Sequence, residues 1–326
     1  MSVPRQISTS RQLPVSRQFP VSRQFAVSAV AVCALVGVGF VLQFAAGPFE
    51  GAMLGRPVNL LLGAAVVLIC AGAAMMADSR AVRLLTGVPM AVSLISALGI
   101  LALIMGLTPQ GAVPIGGVAE VSARLGFNAM TSSWPFVMTY LSLLLSLGSL
   151  VGRRLARFRL RDWGFYANHA GLWIVLFAAG LGSADIERYM VRVDEGAEGR
   201  MGYDATSGHP RPLPVAVRLH DFTMEEYPPA SPGARPMPRS FSSDVEITLP
   251  DGAELRGVTR VNHPFRAGGW AVYQYGYDRE AGPASGYAVF ELVRDPWIGA
   301  VYVGFAMIAA GALAMVWRGG RRRGLE

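Results

Sequence analysis

The chain has 326 residues, 52% of them hydrophobic and 16% charged, with a formal net charge of +7. An ordinary soluble domain carries about 25% charged residues, so this balance, with a mean hydropathy of +0.38, excludes a purely soluble protein. All 29 basic residues are Arg, which excludes Schiff-base chemistry and lysine-dependent phosphate loops, and Cys33 and Cys70 are too few and too far apart for a disulfide framework, a redox pair or a cysteine zinc site.

The chain begins with a six-residue repeat, RQISTS, RQLPVS, RQFPVS, RQFAVS, from Arg5 to Ser28. Its recurring Pro disfavours a helix, and it reads as a disordered basic tether to anionic lipid headgroups. Apolar runs near 20 residues span a bilayer, and six occur, at about 24–47, 57–77, 84–107, 134–152, 164–183 and 297–317. The first, with Gln43 late in it, is long for a signal-peptide core and reads as a retained helix. Cys33 and Cys70 fall at similar depths on neighbouring helices, a placement that permits contact, though a buried Cys is usually a small hydrophobe. Pro89 interrupts the start of the third run. The glycine-rich stretch 111–117 lacks the strand-loop-helix context of a phosphate cradle.

The charges assign the loops to sides. The N-terminal tail, the 78–83 loop, the 153–162 loop and the C-terminal tail together hold 15 Arg against three acids, whereas segment 184–296 holds 12 Arg against 17 acids. Positive-inside bias places both termini in the cytoplasm and 184–296 outside. The high pI is therefore an orientation signal. Nucleic-acid binding would need a basic face on a folded domain, and the one sizeable polar domain here is acidic.

That outer segment reads as strands. Val215, Val217 and Leu219 alternate with polar or small partners, as do Val245, Ile247 and Leu249, which end at the Pro250-Asp251-Gly252 turn signal. Ala271, Tyr273, Tyr275 and Tyr277 share one predicted face; Trp270, Val272 and Gln274 share the other. Ala288, Phe290 and Leu292 form a last alternating run, and 227–239 is a long loop. Trp297 is an expected interfacial anchor. The expected fold is an α-helical polytopic membrane protein of about six helices, with an extracytoplasmic antiparallel β domain between the last two.

His169 is the only ionisable residue well inside an apolar run. Six residues past Trp163, it lies roughly 9 Å along the helix. A polar group there faces a bundle interior or cavity by default, and neutral imidazole is the form that ligates metal. Tyr166, His169 and Trp173 fall at i−3, i and i+4 and share a helix face, which would suit a flat aromatic ligand. The alternative role for His169 is an interhelical hydrogen bond, with Asn168 helping. His209, His220 and His263 are scattered, and a metal site from them would need long-range convergence. Ala178 and Gly182, and Ala306 and Ala310, have the small-xxx-small spacing of close helix packing.

Several stretches resemble one family, the ResB/CcsB-type proteins of system II cytochrome c biogenesis. They are LIMGLTPQ (103–110), FNAMTSSWPFVMTYLSLLLSLGSLVGRR (127–154), FYANHAGLWIVLFAAGLGSAD (165–185) with its His-x-Gly, PRSFSSDVEI (238–247), VNHPFRAGGWAVYQYGYD (261–278) and ELVRDPWIGAVYVGFAMIAAGAL (291–313). VLQFAAG (41–47) and RPVNLLLG (56–63) resemble an additional leading helix pair of a subgroup. The resemblance implies a bacterial cytoplasmic-membrane protein that works with a CcsA-like partner to move haem outward for attachment to apocytochrome c. The six Trp here are isolated, so the Trp-rich haem-binding loop would be the partner's, and the chain alone would not be an enzyme, though the complex would act as a synthase. His169 matches the family's membrane histidine and becomes the candidate haem ligand, with Tyr166 and Trp173 beside it. Asn262, Pro264, Trp270, Tyr273, Gln274, Tyr277 and Asp278 become a candidate outer-domain partner motif. The implied domains are a basic tail (1–23), the extra helix pair (24–78), ResB-like helices (84–183), the β-rich domain (184–296), a last helix (297–317) and a basic tail (318–326). A membrane scaffold that docks partners without touching haem is the alternative.

Overall fold

The computed structural model describes residues 21–111, 118–228 and 237–323. Most of the N-terminal repeat, most of the glycine-rich 111–117 stretch and most of the predicted 227–239 loop lie outside them. Eight helices, α1 Val21–Ala46, α2 Val58–Met75, α3 Arg80–Leu85, α4 Val88–Leu107, α5 Val118–Arg124, α6 Trp134–Leu155, α7 Trp163–Gly182 and α8 Ile298–Arg323, are described, and eight strands fall between α7 and α8. Among the described residues six segments are long and apolar enough to cross a membrane, built on α1, α2, α4, α6, α7 and α8. The chain divides into two compact units, Met1–Glu50 with Ala64–Trp173 and Ala310–Glu326, and Gly51–Gly63 with Ile174–Ala309.

In the first unit α1, α4 and α6 pack together around Val32, Met90 and Leu94. Gly39 lets α1 approach the Pro135 backbone, where a Cβ would clash. The buried Gln43 accepts the Trp134 backbone N–H at 3.2 Å, and the Trp134 indole donates to the Gly47 carbonyl at 3.0 Å. A polar residue late in the first apolar run thus satisfies the orphan N–H at the start of α6. The third span begins later than predicted. Residues 80–85 form the separate α3, capped by the Ser79 hydroxyl, and Pro89 sits in the first turn of α4, where its missing N–H costs nothing. Cys33 is exposed, whereas Cys70 is buried and its Sγ contacts the Leu145 carbonyl of α6 at 3.8 Å. Both thiols are free.

The second unit holds the strands β1 Glu187–Asp194, β2 Glu198–Asp204, β3 Pro210–Glu226, β4 Pro238–Thr248, β5 Glu254–Arg260, β6 Phe265–Ala267, β7 Trp270–Tyr277 and β8 Tyr287–Arg294. They form one antiparallel sheet in the order β5-β4-β3-β2-β1-β8-β7-β6. Val191, Val193, Val217, Leu219, Val245, Ile247, Val272, Phe290 and Leu292 fill one face, as period-two alternation requires. The ends of the sheet curl towards each other, since the Thr259 hydroxyl of β5 donates to the Val272 carbonyl of β7 at 2.8 Å. The predicted alternation fails at one place. A register shift between Gln274 and Gly276 turns Tyr277 into the core, beside Phe222 and Phe241 at 5.5 and 4.9 Å. A bulge moves every later side chain to the other face.

Candidate functional site

His169 lies seven residues into α7 and is half-buried. Its Nδ1 is 3.0 Å from the Phe165 carbonyl one turn back. A carbonyl only accepts, so Nδ1 carries the proton and the Nε2 lone pair is left available. That is the tautomer a metal-binding imidazole needs, with its second nitrogen held by a backbone carbonyl. The bond is within the helix. The imidazole stacks on Phe165 at 3.9 Å between centroids, and the Arg154 guanidinium lies 4.9 Å from the Phe165 ring.

The two aromatic neighbours are engaged elsewhere. Tyr166 is buried, stacks on Phe158 at 5.2 Å, and its hydroxyl accepts the Arg159 N–H at 3.1 Å. Phe165 meets Tyr166 edge-on at 5.9 Å, which makes Phe158, Tyr166, Phe165 and His169 one continuous aromatic series. Trp173 instead donates its indole N–H to the Leu144 carbonyl of α6 at 3.1 Å, over Gly148, where any side chain would collide with the Trp173 ring. On the α8 side Gly311 lies against the Asn168 and Gly164 backbone, again too close for a Cβ. An imidazole with this nitrogen left open is chemically fit to hold a haem iron, and Tyr166 and Trp173 beside it make the contacts just given.

The outer motif around 261–278 is largely architectural. Arg260 and His263 exchange backbone hydrogen bonds at 3.0 Å, with Asn262 between them at φ 62°. Asn tolerates that left-handed conformation better than most residues, and Pro264 then leads into β6. Trp270 is 4% exposed, and Gln274 is buried with its amide donating to the Gly276 carbonyl at 3.2 Å. Asp278 Oδ1 caps the following turn, accepting N–H groups of Glu280 and Ala281 at 3.0 and 3.3 Å. Of the seven, Trp270 and Tyr273 line a surface cleft. The outer histidines stay apart: His209 bonds to Ser207 at 2.8 Å, and His220 lies 3.4 Å from Glu246. Among the described residues no three His, Cys, Asp or Glu are placed to hold a metal.

A polar cluster that the sequence reading did not single out lies at the α7–β1 junction. Asp185 Oδ2 accepts the Trp297 indole N–H at 2.7 Å, the Asn59 amide at 2.8 Å and Arg56 Nε at 3.1 Å. Asn59 also donates to the Leu181 carbonyl at 3.2 Å. The junction thereby fastens the start of α2, the end of α7 and the start of α8 to one carboxylate. All four residues lie inside the segments quoted above for the family resemblance, and Asn59, a lone amide in an apolar helix, is the signal that would have found it.

Residues 156–285 match the model of the ResB-like family. A solved structure of cytochrome c heme lyase CcmF is similar over 80% of this chain and 46% of that one, with 19% identity and a TM-score of 0.33. That likeness is too distant to transfer a role, and the chain spans less than half of that structure's length. No curated protein matches.

Proposed function

The chain is ResB-like across residues 156–285, and from that premise we propose that it serves cytochrome c maturation in a bacterial cytoplasmic membrane. It works with a CcsA-like partner to deliver haem to apocytochrome c. Both termini are cytoplasmic and the β domain is extracytoplasmic, in keeping with the arginine asymmetry of the loops. The single observation that carries the reading is the 3.0 Å approach of His169 Nδ1 to the Phe165 carbonyl in a largely apolar helix. A carbonyl only accepts, so that approach puts the proton on Nδ1 and leaves Nε2 for a ligand. His169 would hold the haem iron through Nε2, and bound haem would supply the iron porphyrin that is delivered for attachment. Phe165 fixes the ring plane and Arg154 adds positive charge next to it. The chain alone is not an enzyme in this reading.

The test is co-purification with the partner, followed by the absorption spectrum. His169→Ala should lower haem per complex, and His169→Gly with added imidazole should restore part of it. Unchanged haem content in His169→Ala overturns the assignment. The engagement of Tyr166 and Trp173 in packing favours a second reading, a scaffold whose outer domain docks partners without haem contact. The same spectrum separates the two.

A further inference from the structure

Outside the His169 region the second unit holds a cleft of about 490 Å³ at the base of the β domain. Its floor follows from strand register. Arg188 pairs with Val293, Val293 with Ala271, and Ala271 with Arg266, across β1, β8, β7 and β6. Directly paired residues project to the same face, so these four form one row, with two small apolar residues between two arginines. Strand spacing of about 4.8 Å puts the two arginine backbones about 14 Å apart. Tyr273, two residues along from Ala271, continues this face, and Tyr302 of α8 supplies a facing wall. The β6–β7 turn closes the rim with Gly268 and Gly269, both at positive φ, as a two-residue hairpin turn requires.

Neither Arg188 nor Arg266 has an ion-pair partner among the described residues. The one carboxylate lining the cleft, Asp295, accepts the Trp297 N–H at 2.9 Å at the start of α8. Two guanidiniums against one carboxylate leave the cleft positive, with an apolar floor and aromatic walls. It also sits at the first turns of a span long and apolar enough for a membrane. The separation of the arginines suits two anionic groups better than one phosphate, which both could reach only by folding inward.

We propose that this cleft binds an amphiphile that carries two anionic groups on an apolar body. Two sources share that chemistry, a lipid with two phosphates and a porphyrin with two propionates.

The test uses the full chain purified in detergent, beside an Arg188→Gln/Arg266→Gln double variant and an Arg188→Lys/Arg266→Lys double variant. Cardiolipin and the monoanionic phosphatidylglycerol are compared by native mass spectrometry. Metal-free protoporphyrin IX and its dimethyl ester are compared by quenching of tryptophan fluorescence. The expected result is at least tenfold tighter binding of cardiolipin over phosphatidylglycerol, or of the diacid over the diester. That preference should be lost in the Gln variant and largely kept in the Lys variant. Preference in the lipid pair alone identifies a lipid head, in the porphyrin pair alone a propionate edge, and in both a shared site. A Gln variant with unchanged circular dichroism and unchanged preference, or a parent with no preference in either pair, overturns the proposal. The metal-free ring has no iron for His169, so this outcome is independent of the haem-ligand test.

Discussion

Replacing Asp185 with Ala removes the acceptor shared by three donors at the α7–β1 junction. The Asp185 side chain is 7% exposed, and Asn59 is fully buried. A buried donor left without a partner costs about 1–3 kcal/mol; the Trp297 indole is part-buried and Asn59 keeps its bond to the Leu181 carbonyl, so each lost bond falls in the lower part of that range, about 1–2 kcal/mol. Arg56 is 57% exposed, so its share is screened and adds less than about 1 kcal/mol. The expected loss is about 3–4 kcal/mol for the unit that contains the junction. At about 2–4 °C per kcal/mol for a unit of some 150–250 residues, the midpoint should fall by about 6–16 °C. The assay is heating of the full chain in detergent, followed by tryptophan fluorescence and by protease cleavage at 183–186. Asp185→Asn keeps one acceptor oxygen and should lose roughly half as much, and Arg56→Gln should lose least. An Asp185→Ala midpoint within 2 °C (about 1 kcal/mol or less) of the parent would refute the account of the junction. So would an Arg56→Gln loss equal to it.

Phe290, fully buried in the sheet core, should cost about 3–5 kcal/mol as Phe290→Ala, read as a lower urea midpoint for loss of β-sheet circular dichroism. The Arg256 guanidinium, 2.6 Å from Asp244, holds that carboxyl below the usual carboxylate range. Its stabilising share is therefore present above the unfolded-state carboxylate range and fades as pH falls through the folded one. Arg256→Gln should move acid unfolding of the β domain to higher pH, and an identical acid transition in parent and variant would count against the pairing. Cys33 should react with a membrane-permeant maleimide in the native protein, whereas Cys70, buried against α6, should react only after denaturation; mass spectrometry of the labelled peptides reads the difference.

The spans were legible because length and apolarity alone decide them, and the cores of β3, β4, β7 and β8 because their alternation is clean. β1 and β2 were not read as strands. β2, EGRMGYD, carries two glycines and three charges, and only pairing with β1 and β3 makes it a strand. The bulge before Gly276 is likewise a pairing event with no local signature. His169 stood out as a lone ionisable group in an apolar run, yet its bond to Phe165 depends on the ring's rotamer. The cluster on Asp185 and the arginine row of the cleft join residues more than 70 positions apart, and both depend on tertiary register.

β1 and β8 pair along their whole lengths, from Glu187 opposite Arg294 to Asp194 opposite Tyr287. Only Ser183–Ile186 and Asp295–Trp297 separate that double strand from the helices on either side. A domain hung this way has no slack to cast towards a distant target and no arm to reel in. With four residues on one side and three on the other, any turn of those two helix ends is passed straight into the paired strands.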